Sequence, residues 1–181
     1  FTFDDHEILN DIDGTGEIGF RNKRTVFRDV GVRAWYQYLG WSGFPAFEQS
    51  TRFGKAILRS GHDELVDLDA DFSKLDLGQA SNLHVHWGSE TSSGDPNAGV
   101  YGIVQILDEH RLKVQPPMRA DTTSVYSVGR RSYWRMPMSN CDFLFLDTRS
   151  ERTLHDKADP YKRGVSLLGS DQRQWIKDEM Q

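Results

Sequence analysis

The sequence predicts a mixed α/β (α+β) chain: strands flanked by helices, with a β-rich insertion at about 47–125. Three observations predict it. Asn22 to Leu39 carries apolar residues at helical spacing, and L-G-S-D-Q-R-Q-W-I-K-D-E-M near the end does the same. C-D-F-L-F-L-D is a near-continuous apolar run, the pattern of a central strand covered on both faces. Between them the texture changes to short alternating runs and turn residues.

In chain order, F-T-F reads as the end of a buried strand that runs into the cluster Asp4-Asp5-His6-Glu7. D-I-D-G-T-G-E-I-G, residues 11–19, is a glycine-rich loop. The helix after it places Val26, Phe27, Val30, Ala34, Tyr38 and Leu39 inward and Arg24, Arg28 and Arg33 toward water. G-W-S-G-F-P ends it with glycine and proline. D-F-S-K-L-D-L alternates imperfectly, and L-H-V-H-W alternates strictly, with Leu83, Val85 and Trp87 on one face. S-E-T-S-S-G-D-P-N-A-G is a loop by composition. Y-G-I-V-Q-I-L, a D-E-H tip and R-L-K-V form a β-hairpin, and R-S-Y-W-R-M is a further strand. In the final helix Ser170 is the expected N-cap, Asp171 favours the positive dipole end, and Trp175 and Ile176 form the buried side.

Composition excludes several classes. With 37% hydrophobic and 27% charged residues, the chain can bury a core and is not wholly disordered. A net charge of −5 offers no basic surface for nucleic acid. No apolar run reaches the length of a membrane span. Cys141 is the one cysteine, so no disulfide forms within the chain, and it reads as a small buried hydrophobe. The chain starts at Phe1 rather than Met and stops inside a helix, which predicts a segment of a longer protein.

Four groups of residues could carry chemistry. Asp4, Asp5, His6 and Glu7 offer oxygen and nitrogen ligands for a metal, just past a strand end where open α/β sheets place their sites. The same four fit a solvated helix start. His84 and His86 point to one face of a strand, as in zinc sites, although the simpler expectation is that they face water while Leu83, Val85 and Trp87 face the core. Asp147 ends the apolar strand, and Arg149 and Arg152 follow it; an arginine there either forks a phosphate or anchors Asp147. D-G-T-G-E-I-G lacks the strand and helix of a nucleotide fingerprint, and neither a G-x-S-x-G nor a P-loop lysine is present.

Taken together and in order, F-D-D-H-E, R-A-W-Y-Q-Y-L, F-L-D-T-R-S-E-R and L-L-G-S-D-Q-R-Q-W-I resemble the alkaline phosphatase D-like metallophosphatases. The resemblance covers residues 1–40 and 132–180 and leaves the β-rich middle as an insertion. It implies a metallophosphoesterase β-sandwich, two mixed sheets packed face to face and flanked by helices, of which this chain is a partial, central segment. It implies hydrolysis of phosphate monoesters and diesters with clustered metal ions, calcium and iron among them, outside the cytoplasm. By position, Asp5 is implied as a metal and phosphate-site residue. His6 is implied as the catalytic contact to the phosphoryl group, able to protonate the leaving oxygen. Asp4 and Glu7 are implied to orient that pair, and Asp147 and Arg149 are candidates for the supporting shell or a phosphate contact. Phe3 replaces the family's usual tryptophan, and Ile176 a common leucine. The upstream G-D-x-x-D-like ligands and the downstream histidine motif are absent, so the isolated segment is expected to be inactive. The alternative is a non-catalytic β-rich binding module with a relic D-D-H-E, in which Trp87 and Tyr101 hold a ligand.

Overall fold

The computed structural model describes residues 18–19, 31, 34, 49, 51–86, 94–131, 133–148, 152–153, 158–159 and 161–181. Six strands dominate it: β1 (Arg52–Leu58), β2 (Glu64–Val66), β3 (Ala80–Val85), β4 (Gly99–Asp108), β5 (Arg111–Gln115) and β6 (Thr122–Arg130). They close into a barrel in the order β1-β2-β5-β4-β3-β6, and every pairing is antiparallel. Closure gives each of these six strands a hydrogen-bonded neighbour on both sides.

Period-two alternation builds the barrel. In β1, Ala56 and Leu58 are buried while Lys55 and Ile57, which alternate with them, are exposed. In β5, Leu112 and Val114 are buried between outward residues. With Leu65, Leu83, Val85, Tyr101, Tyr126 and Val128 they fill the interior as one cluster, which Phe72, Leu75 and Met118 extend. Each fully buried leucine or valine contributes about 1.5–3 kcal/mol relative to exposure. Eight strands enclose an interior just wide enough for side chains to fill; six enclose less, so this interior is a packed core. β4 carries register shifts between Ile103 and Gln105 and between Ile106 and Asp108, which bend it around the barrel.

The remaining described elements are a two-stranded hairpin, β7 (Trp134–Met138) with β8 (Cys141–Phe145), and helix α1 (Gly169–Glu179). The structure is therefore mostly β, with a closed barrel and one short α-helix, α1, described along its length. This corrects the expected α/β metallophosphoesterase sandwich flanked by helices. The physical reason lies in where the strands find partners. C-D-F-L-F pairs locally with W-R-M-P-M across the turn Ser139-Asn140, in which Ser139 takes φ 57°. A two-residue turn with positive φ matches the twist of a hairpin, so the run does not become a central strand. Phe143 is 46% exposed, and Cys141 is exposed rather than buried.

Other expectations fare unevenly. The hairpin with the D-E-H tip is β4–β5, joined across Asp108↔Arg111. L-H-V is in β3 with Leu83 and Val85 buried, and Trp87 lies outside the described residues. D-F-S-K-L-D-L is not a strand: Phe72–Lys74 is a 3₁₀ turn capped by the Asp71 carboxylate on the Ser73 N–H. Of the expected first helix, Gly31 and Ala34 are described, and both are helical. Among the described residues no helix is long and apolar enough to cross a membrane.

Candidate functional site

Asp147 lies two residues past the end of β8 and is 6% exposed. Its backbone is held by one side chain, Gln172 of α1. The Asp147 N–H donates to Gln172 Oε1 at 2.8 Å, and Gln172 Nε2 donates to the Asp147 carbonyl at 2.8 Å. Gln172 Nε2 also donates to the Leu168 carbonyl at 3.1 Å. A strand neighbour would offer one donor and one acceptor to a facing residue in the same way. The carboxamide thus continues the hydrogen bonding of β8 beyond its last ladder pair. Gln172 is fully buried, at 0% exposure, which a glutamine tolerates when its polar atoms are satisfied.

Three contacts set α1 against the hairpin and the chain that leads into it. Arg135 Nη1 reaches Glu179 Oε2 at 2.8 Å while its other nitrogens grip Asp142 at 3.0 and 2.9 Å. Arg131 Nη2 meets Asp171 Oδ2 at 3.2 Å, and the rings of Tyr133 and Trp175 lie 5.0 Å apart. The exposed ion pairs fix orientation and add little stability. The helix start differs from expectation. Leu168 is the N-cap, and the Ser166 hydroxyl accepts from the Gly169 N–H at 2.9 Å, whereas Ser170 sits inside the helix. The buried residue of α1 is Gln172, with Trp175 and Ile176 only half-buried.

Asp4, Asp5, His6, Glu7 and Arg149 lie outside the described residues, so of the six residues that the resemblance brings to the phosphatase site Asp147 is the one described. Arg152 is half-buried. His84 does not face water. It is 2% exposed on the outer side of the barrel, beside Ser127 of β6 and Val100 of β4 in register, both 0% exposed. His86 Nε2 sits 3.0 Å from Ser127 Oγ and edge-on to Phe53. Gly19 N–H donates to the Val100 carbonyl at 2.8 Å on this same side. No group of three or more His, Cys, Asp or Glu that could hold a metal ion occurs among the described residues. Tyr101, assigned to a ligand in the binding-module alternative, is 3% exposed and donates its hydroxyl to the Asn97 carbonyl at 2.6 Å.

Two buried polar groups were not singled out from the sequence. Asn97 is 0% exposed; its Nδ2 donates to the Ala120 carbonyl and Thr122 Oγ1, and its Oδ1 accepts from the Arg119 and Ala120 N–H groups. It ties the loop before β4 to the chain entering β6, and the nearby Ser124 hydroxyl donates to Asp95. Near the start of β1, the Tyr126 hydroxyl donates to Asp67 Oδ2 at 2.8 Å, with both residues buried. Burial, and then the adjacent Asp67 carboxylate, push the Tyr126 hydroxyl well above its usual pKa. D-P-N-A-G signalled a turn in the sequence, but nothing local to it signals Asn97's partners more than 20 residues away.

Compared with known proteins, the chain matches no family model, no curated protein and no solved structure.

Proposed function

We propose that this chain belongs to a metal-dependent phosphoric ester hydrolase, acting on phosphate monoesters or diesters, and that the barrel of β1–β6 is a non-catalytic part of it. One observation carries the reading. F-L-D-T-R-S-E-R and L-G-S-D-Q-R-Q-W-I, two of the four ordered sequence motifs, meet in space through the paired hydrogen bonds of Asp147 and Gln172. Twenty-five residues separate the two, so their contact is a tertiary one.

Hydrolysis of a phosphate ester needs the phosphoryl oxygens neutralised, an activated water, and a proton for the departing alkoxide. In this reading His6 supplies that proton, Asp5 lies beside it at the phosphate, and Asp4 and Glu7 orient the pair. Asp147 and Arg149 support the site from the end of β8. Metal ions, calcium and iron among them, are the proposed cofactors and would supply positive charge to the phosphoryl oxygens and acidify the attacking water.

The test is hydrolysis of bis(4-nitrophenyl) phosphate by the intact protein, before and after chelation and with metal restored. The expected result is metal-dependent turnover that His6→Ala lowers by about 10²–10⁴-fold, the range for loss of a general acid. An intact, folded protein with no turnover under any metal, or turnover indifferent to His6→Ala, overturns the reading.

A further inference from the structure

We propose that Gln172 is a positioning residue of the hydrolytic site, acting through Asp147; this rests on the hydrolase reading above. β8 ends at Phe145, so Asp147 lies beyond the last ladder pair that would hold it in place. Its N–H and carbonyl are instead both engaged by one carboxamide, at 2.8 Å each. Two bonds from one rigid planar group fix the rotation of that peptide segment as well as its position. The direction in which the Asp147 carboxylate leaves the backbone is therefore set by Gln172. That side chain is itself immobilised: it is fully buried, its third bond goes to the Leu168 carbonyl, and α1 is anchored to the hairpin by Arg135–Glu179 and to the residue before it by Tyr133–Trp175.

The chemistry of the pair dictates the variants. Gln172→Ala removes both bonds to Asp147. Gln172→Glu keeps the acceptor for the Asp147 N–H but sets a carboxylate oxygen against two carbonyls, those of Asp147 and Leu168. Protonation of that carboxyl restores one donor, so the Gln172→Glu protein recovers as pH falls. A residue that merely stabilises the fold would change the folded fraction without changing kcat of the folded molecules.

The experiment measures kcat, KM and pH profile on bis(4-nitrophenyl) phosphate for the intact protein and both variants, with folded fraction from circular dichroism. It also measures hydrogen exchange at the Asp147 amide. The expected result is a kcat of folded Gln172→Ala lowered about 10- to 100-fold, as for residues that orient site groups. Gln172→Glu should show a pH profile displaced to lower pH, and the Asp147 amide should lose protection while the β7–β8 amides keep theirs. Folded Gln172→Ala with kcat within about twofold of the parent overturns the proposal and leaves the hydrolase reading standing. An inactive parent overturns the hydrolase reading and the positioning role with it; the exchange data then assign Gln172 a purely structural clamp.

Discussion

Gly54 is the position where the barrel should be least tolerant of one added carbon. A methyl group on Gly54 would overlap Asp67 Oδ2 and come within 2.6 Å of Tyr126 Cε1 and of its hydroxyl oxygen. Those atoms belong to the buried Tyr126–Asp67 hydrogen bond, and β1 and β6 hold Gly54 opposite Tyr126 in register. Neither strand can retreat, because the barrel is closed on both sides of them. Gly54→Ala therefore breaks the hydrogen bond to a carboxylate, costing about 1.5–3 kcal/mol, and overpacks the core, costing about 1–3 kcal/mol. The expected loss is about 3–5 kcal/mol, equivalent to a fall in Tm of about 6–20 °C for a chain of this size. Thermal and urea unfolding followed by circular dichroism measure it. Tyr126→Phe combined with Gly54→Ala should depart from additivity by more than about 0.5 kcal/mol, since the two changes strike the same bond. A Tm within about 2 °C of the parent would refute the reasoning, showing that Asp67 or Tyr126 moves aside freely.

Two further outcomes follow from the buried polar groups. Asn97→Ala strands the Arg119 and Ala120 N–H groups and the Ala120 carbonyl, and should cost about 2–4 kcal/mol in urea unfolding; a loss under about 1 kcal/mol would mean that water replaces the side chain. For Tyr126, the unfolded phenol gives up its proton near its ordinary pKa of 10.0, while the folded one, raised above it, keeps its own. Above that pH the unfolded state binds fewer protons, so stability fully present below about pH 10 falls by up to about 1.4 kcal/mol per unit. Unfolding curves between about pH 9 and about pH 11 should be steeper in pH for the parent than for Tyr126→Phe, and parallel curves would exclude the assignment.

For the candidate site, the sequence put Asp147 near a strand end and showed a helix in L-G-S-D-Q-R-Q-W-I, though not its N-cap, and the link between them was not legible. Gln172 is polar, and a helical pattern assigns polar residues to the wet face. Its burial is stable because Asp147, 25 residues earlier, brings an N–H and a carbonyl that bond to the carboxamide. His84 misleads in the same way: strict alternation sends it out of the barrel interior, and it does point outward, but that outer face is itself covered.

What the sequence by itself determined is local. Alternation with a D-E-H tip is enough for the β4–β5 hairpin, and L-H-V-H is enough for β3 with Leu83 and Val85 inward, because side-chain direction repeats every two residues wherever a strand lies. Tertiary structure decided everything that depends on partners far apart in the chain. β6 lies between β1 and β3, closing the barrel, and F-L-F-L becomes half of an exposed hairpin rather than the centre of a sheet. Periodicity states which face of a strand is apolar; it does not state which strand will cover it, and that choice closed six strands between Arg52 and Arg130 into a barrel.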